Sequence, residues 1–107
     1  MPTPEAFENV TATVKGNVYF DGGVVSHGLT FPDGSKKTLG LIFPGTYRFD
    51  TAAPETMDIT EGTCRVRLAG AVGWTDHAAG ASFDVPGDSA FEIAVDAGVC
   101  QYVCSFR

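Results

Sequence analysis

At 107 residues, with 44% hydrophobic and 19% charged side chains, the chain is long enough for one domain with a real core and too short for two, which excludes a disordered or multi-domain protein. A formal net charge of -6 at pH 7, from 13 acidic against 7 basic residues, excludes an extended nucleic-acid surface, because phosphate neutralisation needs clustered Lys and Arg. A small phosphorylated ligand needs only one or two cations and stays open.

The opening MPTPEAFENV has neither a basic n-region nor an apolar h-region, and no run of about 18 apolar residues occurs, so a cytoplasmic protein with no membrane partner is expected. Residues 1-9 read as an N-terminal tail and 10-107 as a single β-barrel domain. "VTATVKGNVYFDG" alternates Val10, Ala12 and Val14, then Val18 and Phe20 after Gly16, and reads as one long or broken strand. Pro32-Asp33-Gly34 is a turn signal between a strand around Leu29 to Phe31 and another around Thr38 to Phe43, which predicts a hairpin.

Further along, "TYRFDT" sets Tyr47 and Phe49 against Arg48 and Asp50, Met57 and Ile59 follow Pro54, and "TCRVRL" sets Cys64, Val66 and Leu68 against Arg65 and Arg67. Pro86 to Ser89 is read as a turn between two alternating strands, equally well an anion nest or a plain hairpin connection. "CQYVCSF" places Cys100, Tyr102, Cys104 and Phe106 on one parity. About nine short strands without a helical period predict an all-β fold, a small barrel or double-sheet jelly roll. Cys100 and Cys104 stand roughly 13 Å apart on such a strand, too far for a disulfide.

Two spacings point to a cupin. Gly80 and Pro86 fit the second cupin signature, with Asp88 at its Gly position and Phe91 at its metal-binding His position. Glu55 and Gly62 fit the first, but "FDTA" at 49-52 carries no histidine where two belong. The stretches "PGTYRFDTAAPETMDITEG", Trp74 followed by "AGASFDVPGDSAFEIAV", and the terminal "YVCSF", with "GNVYFDGGVVSH" upstream, resemble the small cupin-type pyrimidine/purine nucleoside phosphorylases over roughly residues 10 to 107. The resemblance implies a cupin-like barrel, a homodimer, and a metal-independent pentosyltransferase. Such an enzyme cleaves a broad range of purine and pyrimidine nucleosides with inorganic phosphate, and no other cofactor, to free base and ribose 1-phosphate. The alternative is a non-catalytic cupin module that binds a sugar or nucleotide.

By analogy with glycoside hydrolysis, phosphorolysis passes through an oxocarbenium-like state, so the site must hold a dianion, stabilise the sugar cation and help the base leave. Glu55 is the candidate catalytic carboxylate, at the sugar or as an acid, with a structural role in its turn as the rival reading. A raised pKa would favour the acid and a depressed one an electrostatic role. For phosphate the candidates are Lys36, beside Lys37, then Arg48, the Arg65/Arg67 pair, and the backbone N-H groups of the Pro86 to Ser89 turn with the Ser89 hydroxyl. Among aromatics whose parity turns them inward, Phe91 is preferred for stacking on the base, Tyr102 for a hydroxyl contact, and Tyr47 for the slot. His27 and His77, the two histidines, are both read as loop residues, and no metal site is expected.

Overall fold

A computed structural model describes residues 3-107. Eleven strands form two antiparallel sheets: β1 (Thr11–Ala12), β2 (Asn17–Tyr19), β3 (Val24–Thr30), β4 (Lys36–Ile42), β5 (Gly45–Thr51), β6 (Glu55–Glu61), β7 (Thr63–Leu68), β8 (Thr75–Ala78), β9 (Ser82–Val85), β10 (Ser89–Val95) and β11 (Cys100–Phe106). The large sheet runs β1-β3-β4-β11-β6-β9, with β2 also paired to β3, and the small sheet runs β5-β10-β7-β8. The all-β, cupin-like expectation holds.

Alternation produces this packing directly. In β7, Cys64 and Val66 are buried while Arg65 and Arg67 face outward, and in β10, Phe91, Ile93 and Val95 meet β5 and β7. Fully enclosed Val24, Ile42, Ile59, Val85, Ile93 and Cys100 join the two inner faces into one core. Burying a side chain of this size contributes roughly 1.5–3 kcal/mol.

Three differences from the sequence reading have physical causes. The strand expected around Leu29 extends back to Val24, and the broken strand splits into β1 and β2, both paired to β3; Pro32-Asp33-Gly34 does close the β3–β4 hairpin. His27 lies in β3 and His77 in β8 rather than in loops. The Pro86 to Ser89 turn is no hairpin: β9 pairs with β6 in the large sheet and β10 with β5 and β7 in the small one. The turn carries the chain between sheets, held by the Thr51 hydroxyl donating to Pro86 O at 2.7 Å and accepting from Ser89 N at 3.0 Å.

Candidate active site

The register stacks inward residues of the large sheet into rows. Ser26, Gly40, Tyr102 and Ile59 form one row, and Gly28, Thr38, Cys104, Met57 and Phe83 the next. Phe106, Glu55 and Val85 form a third, and continuing the register by one residue sets Lys36 beside Phe106. The tyrosine has room because position 40 is glycine: a Cβ there would stand 2.2 Å from the Tyr102 ring.

Between the sheets lies a cavity of about 220 Å³ lined by Tyr19, Ser26, Thr38, Ile42, Glu55, Met57, Tyr102, Cys104 and Phe106 from the large sheet and Phe49, Asp50, Phe91 and Ile93 from the small one. One wall offers hydroxyls, a thiol and a carboxylate. The opposite wall is aromatic, with the Phe49 and Phe91 rings stacked at 5.7 Å between centroids and 25° between planes.

Cys104 Sγ donates to Glu55 Oε1 at 3.4 Å. Burial raises the Glu55 pKa, and the thiol contact opposes that rise only in part. The Cys104 thiol is itself pushed up, by burial first and then by the charge of Glu55. Tyr102 is likewise raised by burial and stays a neutral hydroxyl. The site therefore holds a carboxyl whose pKa burial raises, beside a thiol and a phenol that stay neutral.

The structure brings Glu55, Phe91 and Tyr102 together around this cavity and leaves the other four predicted residues out of its lining. Tyr47 points inward, but its hydroxyl is spent on Phe43 O at 2.9 Å and Pro44 O at 3.0 Å. Arg48, expected at the mouth, falls on the outward parity of β5, 3.5 Å from Asp50 Oδ1, beside Arg67 and Glu92. Arg67 is held in turn by Glu92, and Arg65 by Asp96 at 2.9 Å. Ser89 faces inward beyond Phe91, and two N-H groups of its turn are engaged, Asp88 N with Ala52 O and Ser89 N with Thr51 Oγ1. Lys36 is exposed at the start of β4 on the inward parity.

Sequence reasoning missed Tyr19, Ser26, Thr38 and Cys104. The alternation through Cys100, Tyr102, Cys104 and Phe106 was the available signal for Cys104. Nothing in the local pattern marks Ser26, which becomes a wall residue only through pairing with Gly40 across the hairpin. A larger groove of about 570 Å³ lies over the outer face, between Thr3 to Phe7 and strands β4, β6 and β11, and among the predicted site residues it shares only Tyr102.

At the mouth, Tyr19 and Phe20 bridge to the small sheet: their rings meet Phe49 edge-on at 5.7 and 5.4 Å, and Phe20 meets Tyr47 at 5.1 Å. The turn behind them is strained. Phe20 (φ 54) and Asp21 (φ 55) occupy the left-handed region in succession, which costs roughly 1–2 kcal/mol for each residue with a side chain.

The cupin ligand positions correspond to Phe49, Thr51, Glu55 and Phe91, so one carboxylate remains of a four-ligand set, and Thr51 is committed to the sheet-crossing turn. Among the described residues no three His, Cys, Asp or Glu side chains converge as a metal site. The residues present do not fit the cupin metal.

The architecture is shared widely. The chain superposes on a domain of Bacillus subtilis oxalate decarboxylase with a TM-score of 0.73 at 13% identity, covering 98% of this chain and 30% of that one, a likeness of fold alone. A crystal structure of an Acinetobacter sp. ADP1 protein, described as of unknown function, matches with a TM-score of 0.93 at 45% identity over 95% of this chain and 98% of its own. A curated pyrimidine/purine nucleoside phosphorylase of Cupriavidus necator is 54% identical over 100 residues, 94% of each chain. The family model "Pyrimidine/purine nucleoside phosphorylase" matches residues 14–106, and the chain belongs to that family.

Proposed function

We propose that the protein cleaves purine and pyrimidine nucleosides with inorganic phosphate, without a metal, and that the cavity between the sheets is where it does so. The observation that carries this reading is the placement of Glu55: a carboxyl whose pKa burial raises faces a slot walled by the Phe49–Phe91 pair. The flat base packs against the aromatic wall, and the ribose faces Ser26, Thr38 and Tyr102. A phosphate oxygen attacks the anomeric carbon as the bond to the base nitrogen breaks. The bonding pair leaves with the base, which takes the Glu55 proton, and ribose 1-phosphate remains. Glu55 is reprotonated from phosphate or water.

No lysine or arginine lines the cavity, so the dianion enters from its Glu55 end, away from Tyr19. Lys36 shares the Glu55 row with Phe106 between them, which places the two backbones about 10 Å apart at the usual strand spacing. Its four-carbon stem lets the ammonium reach over the opening. The protein acts as a cytoplasmic homodimer in this reading, which draws on the family resemblance. No helix of the described residues is long and apolar enough to cross a membrane.

Purified protein incubated with uridine or inosine, with and without phosphate, tests the proposal by chromatography of free base and ribose 1-phosphate. Base release that needs phosphate is expected; release independent of phosphate would overturn it. The lack of cations in the lining favours a second reading, a binding module for an uncharged nucleoside or sugar. Saturable binding without turnover, unchanged in Glu55→Gln, would establish that instead.

A further inference from the structure

We propose that Tyr19 is a stacking surface for the nucleobase, held over the cavity mouth by the left-handed turn at Phe20 to Gly22. The inference rests on the nucleoside reading above and adds to it a residue that sets affinity for the base. The cavity volume of about 220 Å³ is below the roughly 300–1,000 Å³ of sites that engulf a drug-sized ligand. A nucleoside therefore fills the cavity with one end and presents the other to the mouth, where Tyr19 stands.

Three observations at that mouth converge. Tyr19 and Phe20 are 43% and 50% exposed, a pair of large rings left half in water next to a cavity rather than drawn into the core. Their rings meet the opposite sheet edge-on at Phe49, so a turn of the Tyr19 ring about its χ angles presents its face to a base. The backbone that aims them is strained at Phe20 and Asp21, with Gly22 (φ 99) completing the turn. Strain of this kind persists where the surrounding structure imposes it and concentrates at ligand clamps. A short edge strand, β2, paired only to β3, supplies a support able to give slightly as the ligand enters.

The base is then bounded by Tyr19 on the solvent side and by Phe49 and Phe91 within. Stacking reads area rather than hydrogen-bond pattern, so such a clamp admits both ring systems and favours the larger purine face.

The test compares wild type, Tyr19→Phe, Tyr19→Leu and Tyr19→Ala in phosphate with inosine and uridine. Loss of one aromatic stacking surface predicts a KM increase of about 5- to 150-fold in Tyr19→Ala, larger for inosine than for uridine, with kcat changed less than threefold. Tyr19→Phe should restore the wild-type KM. Tyr19→Leu keeps the apolar contact with Phe49 but lacks a ring face, so its KM should rise although it folds normally. A wild-type KM in a folded Tyr19→Leu or Tyr19→Ala protein overturns the proposal, as does a fall confined to kcat. Active wild type with indifferent variants defeats only the clamp. If wild type binds inosine without turnover, calorimetric Kd values of the same variants decide it, and wild type that neither cleaves nor binds inosine defeats both readings.

Discussion

Cys104 Sγ lies 3.4 Å from Glu55 Oε1 and donates to it, coupling two strands, β11 and β6, through one charge-sensitive contact. The thiol favours the carboxylate form, against the larger effect of burial. Cys104→Ala removes that support, so the Glu55 pKa should rise further. The alkaline limb of a kcat/KM profile with uridine would then move to higher pH than in wild type. An unmoved limb would separate the thiol from the titrating group.

Glu55→Gln should lower kcat by about 10²–10⁴-fold, the usual worth of a general acid, and erase the alkaline limb. Stability moves the other way. A carboxyl whose folded pKa exceeds its unfolded value binds more protons when folded, so its contribution is retained below the unfolded pKa, near 4.5, and is lost as pH rises through the folded one. The variant should therefore melt above wild type at pH 7, and the difference should close as pH falls below about 4.5, as thermal denaturation across pH would show.

Lys36→Ala should weaken phosphate and leave the nucleoside alone. A charge-assisted contact contributes about 1.5 kcal/mol, so KM for phosphate is expected to rise about tenfold with KM for uridine unchanged. Equal rises in both constants would place the anion elsewhere. Arg48→Ala serves as the comparison, since its side chain faces away from the cavity and pairs with Asp50.

Gly40→Ala should destabilise the fold by about 1–3 kcal/mol through overpacking, because the added Cβ meets the Tyr102 ring at 2.2 Å. Denaturant titration measures the loss. Combining it with Tyr102→Ala, which removes the ring, should recover part of the penalty in a double-mutant cycle; strict additivity would mean that the two positions do not press on each other.

Much of this was legible before folding. Alternation alone separates Cys64 and Val66 from Arg65 and Arg67, and Pro32-Asp33-Gly34 places the β3–β4 hairpin. The cupin spacing of Glu55, Gly62, Gly80 and Pro86 anticipates Phe91 beside Glu55 at one cavity. The errors share a cause. Pro86 to Ser89 has the composition of a hairpin turn, and turn chemistry describes four residues, not which sheet the next strand joins. Arg48 alternates correctly, yet which face of β5 turns inward is fixed by pairing with β10, which no local pattern encodes; Tyr47 points inward as expected, but its hydroxyl bonds Phe43 O and Pro44 O.

The sequence by itself determined most of the strands, the apolar and polar faces of these, and the loss of histidines from a metal motif, because these follow from side-chain chemistry and a period of two. Only the tertiary structure decided that Ser26, Thr38, Cys104 and Tyr19 line one cavity with Glu55. It also decided that burial raises that carboxyl's pKa, and that Arg48 of β5 stands outside the cavity. Those outcomes depend on register between strands distant in the chain and on the water excluded when two sheets close, quantities that exist only after the fold has formed.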